Sequence, residues 1–160
     1  MKKITSLLLV ALMLLSLVAC GGTTYKNDVP VDQIAETAIK KLTEGTIFNT
    51  AADGFLDDYF KKPDYVESFV IRNSGDTNNL DEFGIFHVEE GKEKDMSDLL
   101  KSYLSKSYEA NKSFYDSYIP EETPKLRDAE VKTFGNYIVY AIMSEDSRAL
   151  LFASIESSLK

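Results

Sequence analysis

From Asp95 to Ile119 the apolar residues Met96, Leu99, Leu100, Tyr103, Leu104, Tyr108, Phe114, Tyr115 and Tyr118 share one side at 100° per residue. Asp98, Lys101, Lys106, Glu109, Lys112 and Asp116 fill the opposite arc. This run predicts a single amphipathic helix of roughly 35 Å, at about 1.5 Å per residue, with Pro120 and Pro124 stopping it. Its polar face mixes acids with lysines and carries no heptad, which favours packing on a sheet over a membrane-lying helix or a coiled coil. Ser107 and Asn111 interrupt the apolar arc and read as structural, the serine allowing close approach and the amide bonding to backbone. A buried polar group left unpaired would cost about 1 to 3 kcal/mol.

Strand pairs flank this helix. Val66 to Arg72 alternates, with Phe69 and Ile71 on one face and Ser68 and Val70 on the other, and Leu80 to Val88 resumes as a strand before Glu90-Gly91 turns the chain. Ala129 to Phe134 and Tyr137 to Met143 are joined by Gly135-Asn136, a two-residue loop suited to a tight hairpin. Upstream, Val31, Ile34, Ala35, Ala38, Ile39 and Leu42 recur at helical spacing from Pro30, and Gly45 ends that helix. Thr46 to Pro63 is less regular, with one or two helical turns through Phe55, Leu56, Tyr59 and Phe60. The final segment, Asp146 to Leu159, is apolar almost all round and predicts a helix that is well buried or covers an interface. The sum is an α+β domain: a small, mainly antiparallel sheet of about four strands with helices on one face and the long helix between two strand pairs. About 130 residues suit one core, and nine Tyr with nine Phe supply it.

The amino terminus has a different grammar. Lys2 and Lys3 precede an apolar stretch from Leu7 to Ala19, broken only by Ser16. As a helix it would rise about 20 Å, short of a hydrocarbon core of roughly 30 Å, so export is favoured over a permanent span. Leu17-Val18-Ala19-Cys20, followed by Gly21 and Gly22, resembles the lipobox of bacterial prolipoproteins. That resemblance implies a signal peptide over residues 1–19, cleavage before Cys20, and alkylation of its thiol with diacylglycerol. Cys20 is the only cysteine, so it has no pairing partner within the chain. Two acyl chains hold stably where one holds marginally, which places the processed chain on the extracytoplasmic face of the cell membrane. Residues 20–29, polar and without apolar period, read as a flexible tether, and residues 30–160 as the single domain.

Charge narrows the partners. Removing Lys2 and Lys3 from 18 basic residues leaves 16 against 26 acidic ones, so the formal charge moves from −8 to −10. Nucleic acid is excluded on that ground, and adsorption to anionic headgroups is opposed. The expected partners are the membrane, through the lipid on Cys20, and an envelope protein or small ligand of cationic or neutral character.

No catalytic group, metal site or cofactor is assigned. His87 is the only histidine and reads as a half-exposed strand residue. Around Gly54, the acids Asp53, Asp57 and Asp58 hint at calcium, but the EF-hand register puts Ala51 third and Phe60 twelfth, and the loop fails. A second polar loop carries Asp76, Asn78, Asn79, Asp81 and Glu82. Asn and Asp turn chemistry explains these residues as well as ligand binding does, and Asp76, Asp81 and Glu82 are the expected binding residues. The lack of Trp weakens a sugar-stacking platform, and no glycine-rich phosphate loop occurs.

Asp81-Glu82-Phe83-Gly84-Ile85-Phe86, Tyr118-Ile119-Pro120-Glu121 and Gly135-Asn136-Tyr137-Ile138 resemble the bacterial lipoprotein domain of unknown function numbered 4358, mainly of Firmicutes, over roughly residues 50 to 145. The resemblance implies no activity. Three function classes remain: a tethered binding or accessory module, a cell-envelope enzyme with a carboxylate-based site, and a scaffolding lipoprotein. The first leads, because no nucleophile–base pair and no repeat or long coiled coil is visible.

Overall fold

A computed structural model describes residues 23–42, 47–52 and 54–160. In chain order the described elements are α1 (Val31–Ile39), β1 (Asn49–Thr50), β2 (Val66–Asn73), β3 (Glu82–Val88), α2 (Glu93–Tyr118), α3 (Thr123–Arg127), β4 (Glu130–Phe134), β5 (Tyr137–Ile142) and α4 (Glu145–Leu159). All neighbouring strands are antiparallel and lie in the order β1-β2-β3-β5-β4. The fold is α+β, as the pattern predicts, with the two-residue β1 added at one edge. Cys20 and Gly45 lie outside the described residues. Among the described residues no helix is long and apolar enough to cross a membrane.

Helices cover both faces of the sheet, which corrects the expectation of helices on one face. The strand β5 is buried at every position. Tyr137, Val139 and Ala141 join Phe83, Ile85 and Val70 beneath α1 and α4. Ile138, Tyr140 and Ile142 join Phe86, Val88 and Ile71 beneath α2 and α3. A strand buried on both faces must be apolar at odd and even positions alike, and the unbroken run Tyr137 to Met143 is that signature. In β2 a bulge at Glu67, between the pairs Val66↔Val88 and Ser68↔His87, turns Val66 onto the α2 face.

The long helix overshoots the sheet. Its 26 residues rise about 39 Å, against about 23 Å for the seven residues of β3. Its buried positions stop at Ser107, leaving Phe114 and Tyr118 at 56% and 72% exposure. Beyond Pro120 the chain forms α3, one short helical segment with a proline in its first turn, where the prolines alone predict only a stop. In α4 the apolar residues are not all buried either. Leu151, Phe152, Ile155 and Leu159 face the core while Leu150 is exposed.

Two buried arginines stitch the layers. Arg72 donates to Thr50 Oγ1 at 2.6 Å, to Asp32 at 3.1 Å and to Glu36 at 3.3 Å, joining β2 to β1 and α1. Arg148 of α4 donates to Glu130 at 2.6 Å and to the Met143 carbonyl at 3.1 Å.

The domain also begins earlier than composition indicates. Within the segment read as tether, residues 25–29 are strapped to the far end of the sheet. The Tyr25 ring meets Phe134 edge-on at 5.9 Å, and the Lys26 amide donates to the Leu159 carbonyl at 2.7 Å. Asn27 Oδ1 lies 2.9 Å from His87 Nε2, while the Tyr137 hydroxyl accepts from Val29 N at 3.0 Å and donates to Val29 O at 2.8 Å. Each such bond contributes about 0.5 to 1.5 kcal/mol. A chain starting at Pro30 is therefore expected to unfold cooperatively but about 2 to 6 kcal/mol less stably than one starting at Thr23, in paired urea melts. Equal midpoints would show that the strap contributes nothing.

Candidate functional site

At the end of the sheet opposite the strap, the loop between β2 and β3 folds on itself. Asp76 Oδ1 accepts from the Asn78 amide at 2.9 Å and Asn79 Oδ1 from the Asp81 amide at 2.9 Å, while Gly75 takes a φ of 65°. These are the side-chain-to-backbone bonds that make Asn and Asp turn formers. The loop is pinned to α3. The Leu80 amide donates to Glu122 Oε2 at 2.8 Å, and Lys125 reaches Asp81 at 2.9 Å, Glu122 at 2.8 Å and Asn79 at 3.2 Å. Between this loop and the helices lies a cleft of about 310 Å³, walled by Tyr103, Ser107 and Tyr115 of α2, Leu126 of α3 and Ile142 of β5.

Glu82 lines the cleft and is only 9% exposed. Two hydroxyls converge on its Oε1, Tyr103 from the helix at 2.8 Å and Tyr140 from the neighbouring strand at 2.6 Å. The tyrosine rings meet edge-on at 5.4 Å. Gly84 makes this geometry available. It pairs with Tyr140 across the sheet, and a Cβ at Gly84 would stand 2.3 Å from the Tyr140 ring. A side chain at that position would displace the ring that braces Glu82. Burial pushes the Glu82 carboxyl above its ordinary value, against the opposing pull of the two tyrosine hydrogen bonds. Burial and the nearby Glu82 charge in turn raise both tyrosines. A carboxyl in a cleft with such an environment is a functional-site candidate on physical grounds.

The three acids expected to bind lie along one stretch but in three environments. Asp76 is exposed on the loop, Asp81 is half-buried in its pair with Lys125, and Glu82 is buried beneath the tyrosines. Only Asp76 is a solvated loop acid, so changing all three to amides would disturb the loop anchor and the core along with any binding. Ser107, expected to be structural, lines the cleft. Asn111 behaves as expected, donating to the Ser107 carbonyl at 2.9 Å. His87 lies at the other end of β3, stacked on Tyr137 at 4.5 Å with Glu67 2.9 Å from Nδ1, and serves the strap. Asp53 lies outside the described residues. Sequence reasoning missed Tyr103, Tyr140, Glu122 and Lys125. The available signals are a glycine inside β3 and Tyr140, a hydroxyl-bearing ring inside the otherwise aliphatic interior of β5.

The sequence matches the family described as Domain of unknown function (DUF4358) over residues 50–143. No curated protein and no solved structure matches it. The matched span runs from β1 past the end of β5 and contains the whole lining of the cleft.

The raised carboxyl of Glu82 has a thermodynamic consequence. Because the folded state holds a proton that the unfolded chain releases near 4.5, this stabilisation is complete below that pH and is lost as pH rises through the folded-state value. Urea melts from pH 4.5 upward should show wild type losing stability relative to Glu82→Gln, by about 1.4 kcal/mol for each unit that the folded value is raised. A gap between the two that stays constant with pH would mean that Glu82 titrates as an ordinary surface acid.

Proposed function

The chain belongs to the family described as Domain of unknown function (DUF4358), and from its own cleft we propose that it is a lipid-anchored extracytoplasmic binding module acting without catalysis. The observation that carries this reading is the cleft itself: one open, mixed polar and aromatic recess whose buried carboxyl is held by two tyrosines. At about 310 Å³ it sits at the lower end of the volume range of small-molecule sites. Its lip is a loop and its floor a rigid strand, the arrangement by which loops recognise and scaffolds position. Leu17 to Cys20 support the anchor, and the acidic balance of the chain supports a neutral or cationic partner over nucleic acid.

A carboxylate-based envelope enzyme is the second reading, favoured by the raised Glu82 carboxyl, which is suited to hold a proton for transfer. Turnover of a bound compound that Glu82→Gln abolishes while binding persists would establish it over the first.

Two measurements address the proposal. Cys20→Ala should abolish incorporation of labelled acyl chains and leave an uncleaved precursor of lower gel mobility, whereas normal processing of that variant would remove the anchor. Native mass spectrometry of the processed chain, extracted from its own membranes, should show a noncovalent small-molecule adduct. Ser107→Leu, which places a larger side chain in the cleft, should lose that adduct at least tenfold. Absence of any adduct in wild type, or equal retention in Ser107→Leu, counts against a binding module built on this cleft.

A further inference from the structure

We infer that the cleft takes a small organic cation, an ammonium head on an apolar stem, with the head against Glu82 Oε2 and the stem along Tyr103, Tyr115 and Leu126. This rests on the binding reading and adds the class of ligand. Three observations carry it.

The first is the asymmetry of the buried carboxyl. Tyr103 and Tyr140 both donate to Oε1, at 2.8 and 2.6 Å, and neither reaches Oε2. A carboxyl this buried either keeps its proton or, when ionised, needs a counter-charge or further donors to offset its lost hydration. The nearby cation of α3 does not supply them: Lys125 is committed to Asp81, Glu122 and Asn79. A ligand ammonium at Oε2 brings both the charge and the donors, with the tyrosines already fixing the carboxyl plane.

The second is the balance of charge. Asp76, Asp81 and Glu82 line the cleft, Glu122 anchors its loop, and among the described residues Lys125 pairs with Asp81 and Glu122. With a formal charge of −8 on the whole chain, the local and overall fields have one sign and draw cations towards this recess. Among the described residues no three His, Cys, Asp or Glu side chains gather as a metal site, so the recess suits a single-point organic cation better than a metal ion.

The third is the wall. Tyr103, Tyr115, Leu126 and Ile142 line the same recess. From Tyr115 the aromatic surface continues outward, with Phe114 at 5.6 Å and Tyr118 4.7 Å beyond Phe114. These are the exposed rings where α2 outruns the sheet. Aromatic and aliphatic lining beside a carboxylate suits an ammonium head at the carboxylate with its stem in apolar contact.

The test is isothermal titration of the processed full chain, in mild detergent at low salt, with n-butylammonium chloride and with 1-butanol as a neutral mimic of the same length. The amine should bind at least tenfold more tightly than the alcohol, and added salt should weaken the amine alone. Glu82→Gln should reduce amine affinity at least tenfold and leave the alcohol within twofold. Tyr115→Leu, at a partly exposed helix position, should cost the amine several-fold and decides the matter if Glu82→Gln fails to fold. Equal affinity for the two probes overturns the cationic class while leaving a neutral-ligand cleft standing. So does amine binding that neither variant changes. If neither probe binds, the ammonium proposal falls, and the binding reading is then judged separately by the adduct in native mass spectrometry.

Discussion

The structure depends on the antiparallel pairing of β3 with β5. These two strands form the centre of the sheet, and their side chains are buried on both faces, so every helix packs against surface that this pair supplies or extends. At about 25 cal/mol per Å² of apolar surface, two cores sharing one central pair gain from the same ordered backbone twice, which suits a domain of this size. The same constraint leaves little room for polarity. Glu82 is tolerated at the head of β3 because two tyrosines, one from each side of the α2–sheet interface, reach it.

That arrangement ties the site to the core. Gly84 lets the Tyr140 ring cross the neighbouring strand, Tyr140 and Tyr103 hold one oxygen of Glu82, and Tyr103 stands among the buried residues of α2. The floor of the cleft is thus held by core packing, whereas its lip is held by turn bonds and by the ion pairs of Lys125. The parts differ in stiffness for that reason. Local opening is expected of a loop with exposed backbone and few apolar contacts, and is resisted in a central strand.

Much of the fold was legible because periodicity reports burial. The long amphipathic arc, the Gly135-Asn136 hairpin and the alternation about Phe69 and Ile71 each map onto an observed element. What periodicity left open was layer count. The run Tyr137 to Met143 has no alternation to read, and periodicity alone does not separate one covered face from the two that exist. Helix overshoot was equally hidden, since Phe114 and Tyr118 fit the arc and only the length of the sheet decides whether anything lies beneath them. In the site, the acids Asp76, Asp81 and Glu82 were visible as residue types, but their separate environments were not. Those depend on Lys125 and Glu122, more than forty positions away, and on Tyr140, whose chemistry in sequence is indistinguishable from core filling.

The strap at residues 25–29 fixes the end of the sheet at which the upstream chain joins the domain. It meets the sheet at His87 and Tyr137, while the cleft opens beside Glu82 and Ile142, so β3 and β5 run from one to the other. Five residue steps separate Glu82 from His87, about 17 Å of strand. Anything gripping the chain upstream of Tyr25 therefore grips it like the handle of a ladle, with the bowl at the other end of a stiff shaft. Tension on the handle loads Tyr137, His87 and the α4 carboxyl terminus first, and the loop that rims the bowl stays slack.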